Sequence, residues 1–250
     1  MTVVLKLGGS VITEKDEPET IDDERLGAVA ASVAGAETGR LVLVHGGGSF
    51  GHHHASAHGV SRTRGTHDVV AVREIHDAMK RLNDAVLDAL SGRGVPAVPV
   101  HPFSAARRDG DGALDLPTRG VGTMLAEGFV PVLHGDVVAH VGEGATIVSG
   151  DELVVSLADG LGADRVGLCS TVPGVLDDAG EVIPEIGGYD EVARYLGESA
   201  STDVTGGMAA KVRALLDLEA PASVFGPGTL ADFLAGGSPG TEIAREDEPT

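Results

Sequence analysis

The 250-residue chain has one cysteine, Cys169. A single thiol excludes an internal disulfide framework and a multi-cysteine zinc site, and it reads most simply as a small buried residue. Positive charge is scarce too: Lys+Arg is 18 against Asp+Glu 38, a formal net charge of −20. That balance disfavours nucleic-acid binding through a broad basic face. No apolar run reaches 18 residues, and no basic segment with an apolar stretch behind it opens the chain. Neither a membrane span nor a secretory leader is therefore expected, and the expected setting is cytoplasmic. Hydrophobic residues, at 42%, are ample for a core.

The acidic excess has two readings. Self-repulsion of this size is tolerable where salt screens it, the Debye length falling to about 3 Å at 1 M; that suits a salt-rich cytoplasm. An ordinary acidic cytosolic enzyme is the alternative. Lysine is rarer than arginine: only Lys6, Lys15, Lys80 and Lys211, against fourteen Arg. Three of the four lie in or beside glycine-rich strings. A compact ammonium that can follow a moving phosphoryl group would explain lysine there; chance placement is the other reading.

Short apolar runs alternate with helical patterns. Strands are expected at Val3–Leu7, Leu41–Val44, Ala97–Val100, Val130–Leu133, Arg165–Cys169 and Ala222–Phe225. Helices are expected at Asp22–Ala34, Asp68–Leu90, Glu152–Leu161 and Gly207–Leu218. Gly142–Ala145 and Asp109–Asp115 read as turns or loops. The alternation argues for an α/β fold: a mainly parallel open sheet with helices on both faces, a three-layer αβα sandwich. Ligands on such sheets bind beyond the carboxyl ends of strands, and glycine clusters follow Leu7 and Val44. No linker divides residues 1–250, so one domain is expected.

Four strings carry the chemistry. Lys6-Leu7-Gly8-Gly9-Ser10 puts glycines at a strand end, where bare N–H groups can approach phosphate oxygens. His45-Gly46-Gly47-Gly48-Ser49-Phe50-Gly51-His52 formally fits G-x-G-x-x-G, so a nicotinamide-binding oxidoreductase is a rival. The acidic residue expected about 20 positions on is missing, because that region starts a helix. Asp203-Val204-Thr205-Gly206-Gly207-Met208-Ala209-Ala210-Lys211 sets glycines before a helix, with Lys211 one turn inside and able to reach a terminal phosphate. Ser149-Gly150-Asp151 places a carboxylate that could keep two lysines apart and charged; a helix cap is the plain alternative. His52, His53, His54 and His58 cluster, but adjacent side chains rarely converge on one ion, so no metal site is expected there. His53 and His54 read as packing or surface residues. His45, His101, His134 and His140 read as satisfied core histidines.

In this order the strings resemble the amino acid kinase superfamily, and within it the isopentenyl phosphate kinases, from about Val3 to Phe225. Lys15 downstream of the first string, Gly46 to Ala55, Val172-Pro173-Gly174-Val175 and the string ending at Lys211 carry the likeness. The resemblance implies an ATP-dependent phosphotransferase that converts isopentenyl phosphate to its diphosphate, with Mg²⁺ carried mainly on ATP. It implies catalytic roles for Lys6, Lys15, His52, Asp151 and Lys211. Lys6, Leu7, Gly8, Gly9, Ser10, Gly48, Ser170, Thr171, Gly206 and Lys211 would border the nucleotide. Gly47, His52 and Gly150 would hold the acceptor phosphate. It further implies a homodimer, an acceptor half over about 1–164 and a nucleotide half over about 165–250. One departure stands out: Ser170-Thr171 replaces the usual Thr-Asp, so a carboxylate near the nucleotide becomes a hydroxyl. A non-catalytic nucleotide sensor is the remaining alternative, against which the intact lysines argue. One end of helix Asp68–Leu90 would wall the five-carbon acceptor tail.

Overall fold

The computed structural model describes residues 1–37, 39–196 and 207–245. Its strands are β1 (Thr2–Leu7), β2 (Arg40–His45), β3 (Ala97–Pro99), β4 (Arg107–Arg108), β5 (Leu114–Asp115), β6 (Val130–His134), β7 (Asp136–His140), β8 (Gly144–Val148), β9 (Arg165–Cys169), β10 (Glu185–Ile186), β11 (Ala222–Phe225) and β12 (Thr241–Ile243). Its helices are α1 (Gly9–Ile12), α2 (Asp23–Ala34), α3 (Gly48–Ala57), α4 (Val69–Ser91), α5 (Pro102–Ala105), α6 (Arg119–Ala126), α7 (Gly150–Leu161), α8 (Tyr189–Val192), α9 (Gly207–Leu216) and α10 (Leu230–Leu234).

Among the described residues an eight-stranded sheet runs β10-β12-β11-β9-β1-β2-β6-β3. Its pairs are parallel except β11 with β12. The central strands are buried on both faces, which is why they read as continuous apolar runs. Period-two alternation divides their side chains. Val4, Val42, Val44, Val166 and Leu168 join one core with Leu153 and Leu157 of α7, Val121 of α6 and Leu215 of α9. Val3, Leu5, Leu7, Leu41 and Leu43 join the other with Leu26 of α2, Leu82 of α4 and Phe233 of α10. Each fully buried Val, Leu or Phe contributes roughly 1.5–3 kcal/mol, so the two cores commit both faces and give the expected three layers.

Side-chain caps set the helix starts. Asp22 accepts from Arg25 N and Asp68 from Val70 N, so each expected first residue is in fact the N-cap. Ser149 and Glu152 form a reciprocal capping box on α7. A second, four-stranded sheet, β5-β4-β7-β8, was not foreseen. Its hairpins turn through the two segments read from sequence as turns or loops.

The carboxyl edge of the large sheet builds the site. Leu7 pairs with His45 on one side and Cys169 on the other, and His45 pairs with His134. The next residue of each strand still donates to its neighbour: Gly8 N to Cys169 O (2.8 Å), Gly46 N to Leu7 O (2.9 Å) and Gly135 N to His45 O (2.9 Å). The chain then leaves the sheet along one edge. No helix among the described residues is long and apolar enough to cross a membrane.

Candidate active site

Beyond that edge lies a cleft of about 1010 Å³. It takes in Lys6, Gly8, Gly9, Ser10, Lys15, Gly47, Gly48, His52, Gly150, Asp151, Ser170, Thr171 and Lys211. The three lysines of the glycine-rich strings therefore share one crevice. Leu7 does not line this cleft. Leu7 is 1% exposed and faces the α2/α4 core, with its carbonyl taken by Gly46 N. Alternation along β1 requires this: Lys6 shares the face of Val4, so Leu7 must point the opposite way. The Leu7 side chain thus belongs to the core and not to the cleft lining. Gly206, with the Asp203–Thr205 stretch before it, lies outside the described residues.

Lys6 is aimed at α7. Its Nζ is 2.5 Å from Asp151 Oδ1, while Lys211 Nζ is 4.0 Å from Asp151 Oδ2. One carboxylate thus stands between two ammonium groups brought from β1 and α9. Opposed unit charges about 4 Å apart are worth about 4 kcal/mol at an effective dielectric of 20, and like charges cost as much. Asp151 also lies in the first turn of α7, where the helix dipole favours an anion, so both readings of this residue hold together.

Backbone without side chains forms the wall. A Cβ on Gly9 would fall 2.1 Å from Gly48 N, so the two glycine strings cross in direct backbone contact. Gly48 has φ +49°, and a Cβ there would sit 2.2 Å from Thr13 Oγ1. α3 starts at Gly48 and α7 at Gly150, presenting first-turn N–H groups and positive dipole ends to the cleft.

Lys15 rides on a loop closed by the Thr13–Ile21 bridge. The Glu19 carboxylate anchors this loop to two helices, 2.5 Å from His54 Nε2 on α3 and 2.6 Å from Arg81 on α4. Glu19 N donates to Ser49 O at 3.4 Å, and Ser49 N donates to Thr13 Oγ1 at 3.1 Å. The hydrogen bond from His54, with Arg81 behind it, holds the Glu19 carboxyl below its usual range despite some burial. His54, His58 and Glu74 bring ligand-type atoms within 4.8 Å of one another. His54 pairs with Glu19 and His58 with Glu74 (2.6 Å).

Several lining residues carried no signal in the strings. Gly135 and Asp136 follow β6, and Ile75, Met79 and Ile147 supply an apolar end. A cue for Gly135 was available: a His-Gly pair ends both β2 and β6. Helix α4 reaches the cleft through Ile75 and Met79. His45 and His134 are fully buried, as expected of core histidines.

Fold and cleft together define an αβα phosphotransferase-type protein. The profile of the amino acid kinase family matches residues 1–220. The chain is 69% identical over 245 residues to the isopentenyl phosphate kinase of Haloferax volcanii, covering 98% of this chain and 99% of that one. It is 34% identical to that of Methanocaldococcus jannaschii, covering 97% and 98%. A solved isopentenyl phosphate kinase structure superposes with a TM-score of 0.84 at 29% identity, covering 97% of this chain and 100% of that one. The chain belongs to the amino acid kinase family, in its isopentenyl phosphate kinase branch.

Proposed function

We infer that this chain is an ATP-dependent kinase that phosphorylates isopentenyl phosphate, giving isopentenyl diphosphate and ADP. The likeness to the Haloferax kinase over nearly both full lengths carries the reaction. The convergence of Lys6, Lys15 and Lys211 on one cleft is the structural observation that agrees with it.

The acceptor phosphate is already ionised, so its attacking oxygen needs no general base. That oxygen forms a bond to the γ-phosphorus as the bond to the β–γ bridging oxygen breaks, and the electron pair leaves on ADP. The obstacle is the repulsion of two polyanions. Preorganised cations and N–H groups offset it, which makes electrostatic stabilisation the main catalytic term. In this reading Gly47, Gly150 and His52 hold the acceptor phosphate. Lys6 and Lys211 follow the transferred group with Asp151 between them, and Lys15 approaches from its loop. Gly8, Gly9, Ser10, Gly48, Ser170 and Thr171 border the nucleotide. The apolar end at Ile75 and Met79 suits a short hydrocarbon tail.

Mg²⁺ fits as an ion carried on the nucleotide. Among the described lining carboxylates, Asp151 is engaged with lysines and Asp136 with His76 at 2.9 Å, while Asp16 follows Lys15 on its loop. When bound, Mg²⁺ would supply positive charge that partly neutralises the phosphates. The proposal further takes residues 1–164 as the acceptor half, 165–250 as the nucleotide half, and a cytoplasmic homodimer as the assembly; light scattering of purified protein tests the last.

A coupled ADP assay with isopentenyl phosphate, glutamate and carbamate as competing acceptors decides the substrate. Turnover concentrated on isopentenyl phosphate is expected. Equal or better turnover of glutamate or carbamate overturns the reading.

A further inference from the structure

Behind the cleft lies a set of imidazoles that the reaction as described does not use. His45 and His134 end adjacent strands, are fully buried, and stack with centroids 5.5 Å apart. Each faces the carbonyl of the glycine that follows it: His45 Nδ1 is 3.1 Å from Gly46 O, and His134 Nδ1 is 2.9 Å from Gly135 O. Burial lowers the pKa of both rings, so each is neutral and carries one proton. A carbonyl oxygen can only accept, which puts that proton on Nδ1.

The outer nitrogens agree with this tautomer. His134 Nε2 is left as an acceptor, 2.9 Å from His101 Nδ1. His45 Nε2 is likewise an acceptor and lies 3.1 Å from the Asn83 side-chain amide. With Oδ1 toward the ring, Asn83 Nδ2 is buried without a partner. Turning the amide gives that nitrogen its acceptor and completes the His45 ring.

The consequence falls on the next peptide unit. In a planar trans peptide the C=O and N–H point in opposite directions. Gly46 O held toward the core ring therefore aims Gly47 N–H away from it. Gly46 and Gly47 line the cleft and His45 does not. Gly135, its carbonyl held by His134, packs beside this spot: a Cβ there would lie 3.7 Å from Gly47 N and 3.8 Å from Gly150 N. The two N–H groups assigned to the acceptor phosphate thus flank a glycine fixed by the second histidine.

We propose that His45 is a positioning residue for phosphoryl acceptance: by holding the Gly46 carbonyl through Nδ1–H, it fixes the Gly47 N–H on the acceptor phosphate, with His134 doing the matching work on Gly135. This rests on the kinase reading above.

The test compares three variants. His45→Leu removes the donor at similar volume. His45→Asn keeps a donor at the Nδ1 position, and His45→Gln keeps contact with Asn83 but not with Gly46. Acceptor affinity is read by calorimetry with isopentenyl phosphate, ATP affinity in the same way, and folding by thermal unfolding. His45→Leu should weaken acceptor binding roughly tenfold or more, the loss expected for a hydrogen bond to a charged group, with ATP affinity within about twofold. His45→Asn should recover most of the loss and His45→Gln little of it. If the leucine variant does not fold, the order of asparagine above glutamine carries the test. Acceptor affinity unchanged in folded His45→Leu, or glutamine equal to or better than asparagine, overturns the proposal. Wild-type protein without isopentenyl phosphate turnover overturns the kinase reading instead, and is scored separately.

Discussion

The Asp151 carboxylate, in the first turn of α7, lies 2.5 Å from the Lys6 ammonium near the end of β1. Its second oxygen is 4.0 Å from Lys211. An acid in a polyphosphate site lowers the local positive charge, which by itself weakens anion binding. Between two ammonium groups that would otherwise repel each other, the carboxylate offsets that repulsion.

Asp151→Asn keeps the shape and removes the charge. We expect kcat to fall by about 10- to 100-fold, roughly 1.4–2.7 kcal/mol of transition-state stabilisation. KM for ATP should change by no more than a few-fold, because the phosphates themselves hold the lysines apart once bound. Steady-state kinetics with both substrates varied checks this. A kcat within about twofold of wild type would show that the lysines need no spacer.

The Lys15 loop depends on Glu19, whose carboxylate bridges His54 and Arg81. Glu19→Ala should release that anchor and lower kcat several-fold, while Lys15→Ala should lower it further. Residues acting through one another are not additive. On a Lys15→Ala background, Glu19→Ala should therefore add little. Full additivity in this double-mutant cycle would separate Glu19 from Lys15.

Much of this was legible from residues alone, for identifiable reasons. Arg165–Cys169 and Ala222–Phe225 appear with the expected bounds because double-sided burial favours short, mostly apolar runs there. α3 was not recognisable as a helix. Its ten residues include two glycines and three histidines, all weak helix formers. Tertiary contact supports it instead: Met79 Sδ sits where a Cβ on Gly51 would come within 2.7 Å. Leu7 was grouped with its motif although the Val4, Lys6 alternation already turned it inward. Asp136 was invisible because it enters the cleft through the pairing of β6 with β2, a relation that no local pattern encodes; for Gly135 the repeated His-Gly pair was the one cue.

Cys169 pairs with Leu7 in the sheet and is 1% exposed. Burial pushes its thiol up to about 12. The thiolate is the reactive form, so native protein at pH 8 should resist labelling by a disulfide reagent over minutes, and one equivalent should react in guanidinium. Rapid stoichiometric labelling of the native protein would contradict the burial.

A net charge of −20 makes self-repulsion a standing cost of the compact state. Molar KCl shortens the Debye length to about 3 Å, so the unfolding temperature should climb steadily between about 0.1 and 2 M KCl. A flat or falling curve would leave the acidic surface without this role.

Acid should act through the buried histidines. His45 and His134 have folded pKa values lowered chiefly by burial, His134 well below the ordinary value. In the unfolded chain they titrate near about 6.5. Between the two values the unfolded state binds more protons, so stability rises with pH. Their contribution is complete above about pH 6.5 and is lost as pH falls through that value. Asp136 works oppositely: burial raises its pKa, so its burial is least costly in acid. Acid also reduces the net negative charge, which would stabilise the fold at low salt. The measurement therefore belongs in molar KCl, where surface repulsion is already screened. There the unfolding temperature should drop between about pH 7.5 and pH 5.5, and His134→Asn should flatten the drop. A profile level through pH 6 in high salt would mean that the folded and unfolded chains bind protons alike over this range, against the lowered pKa of these rings.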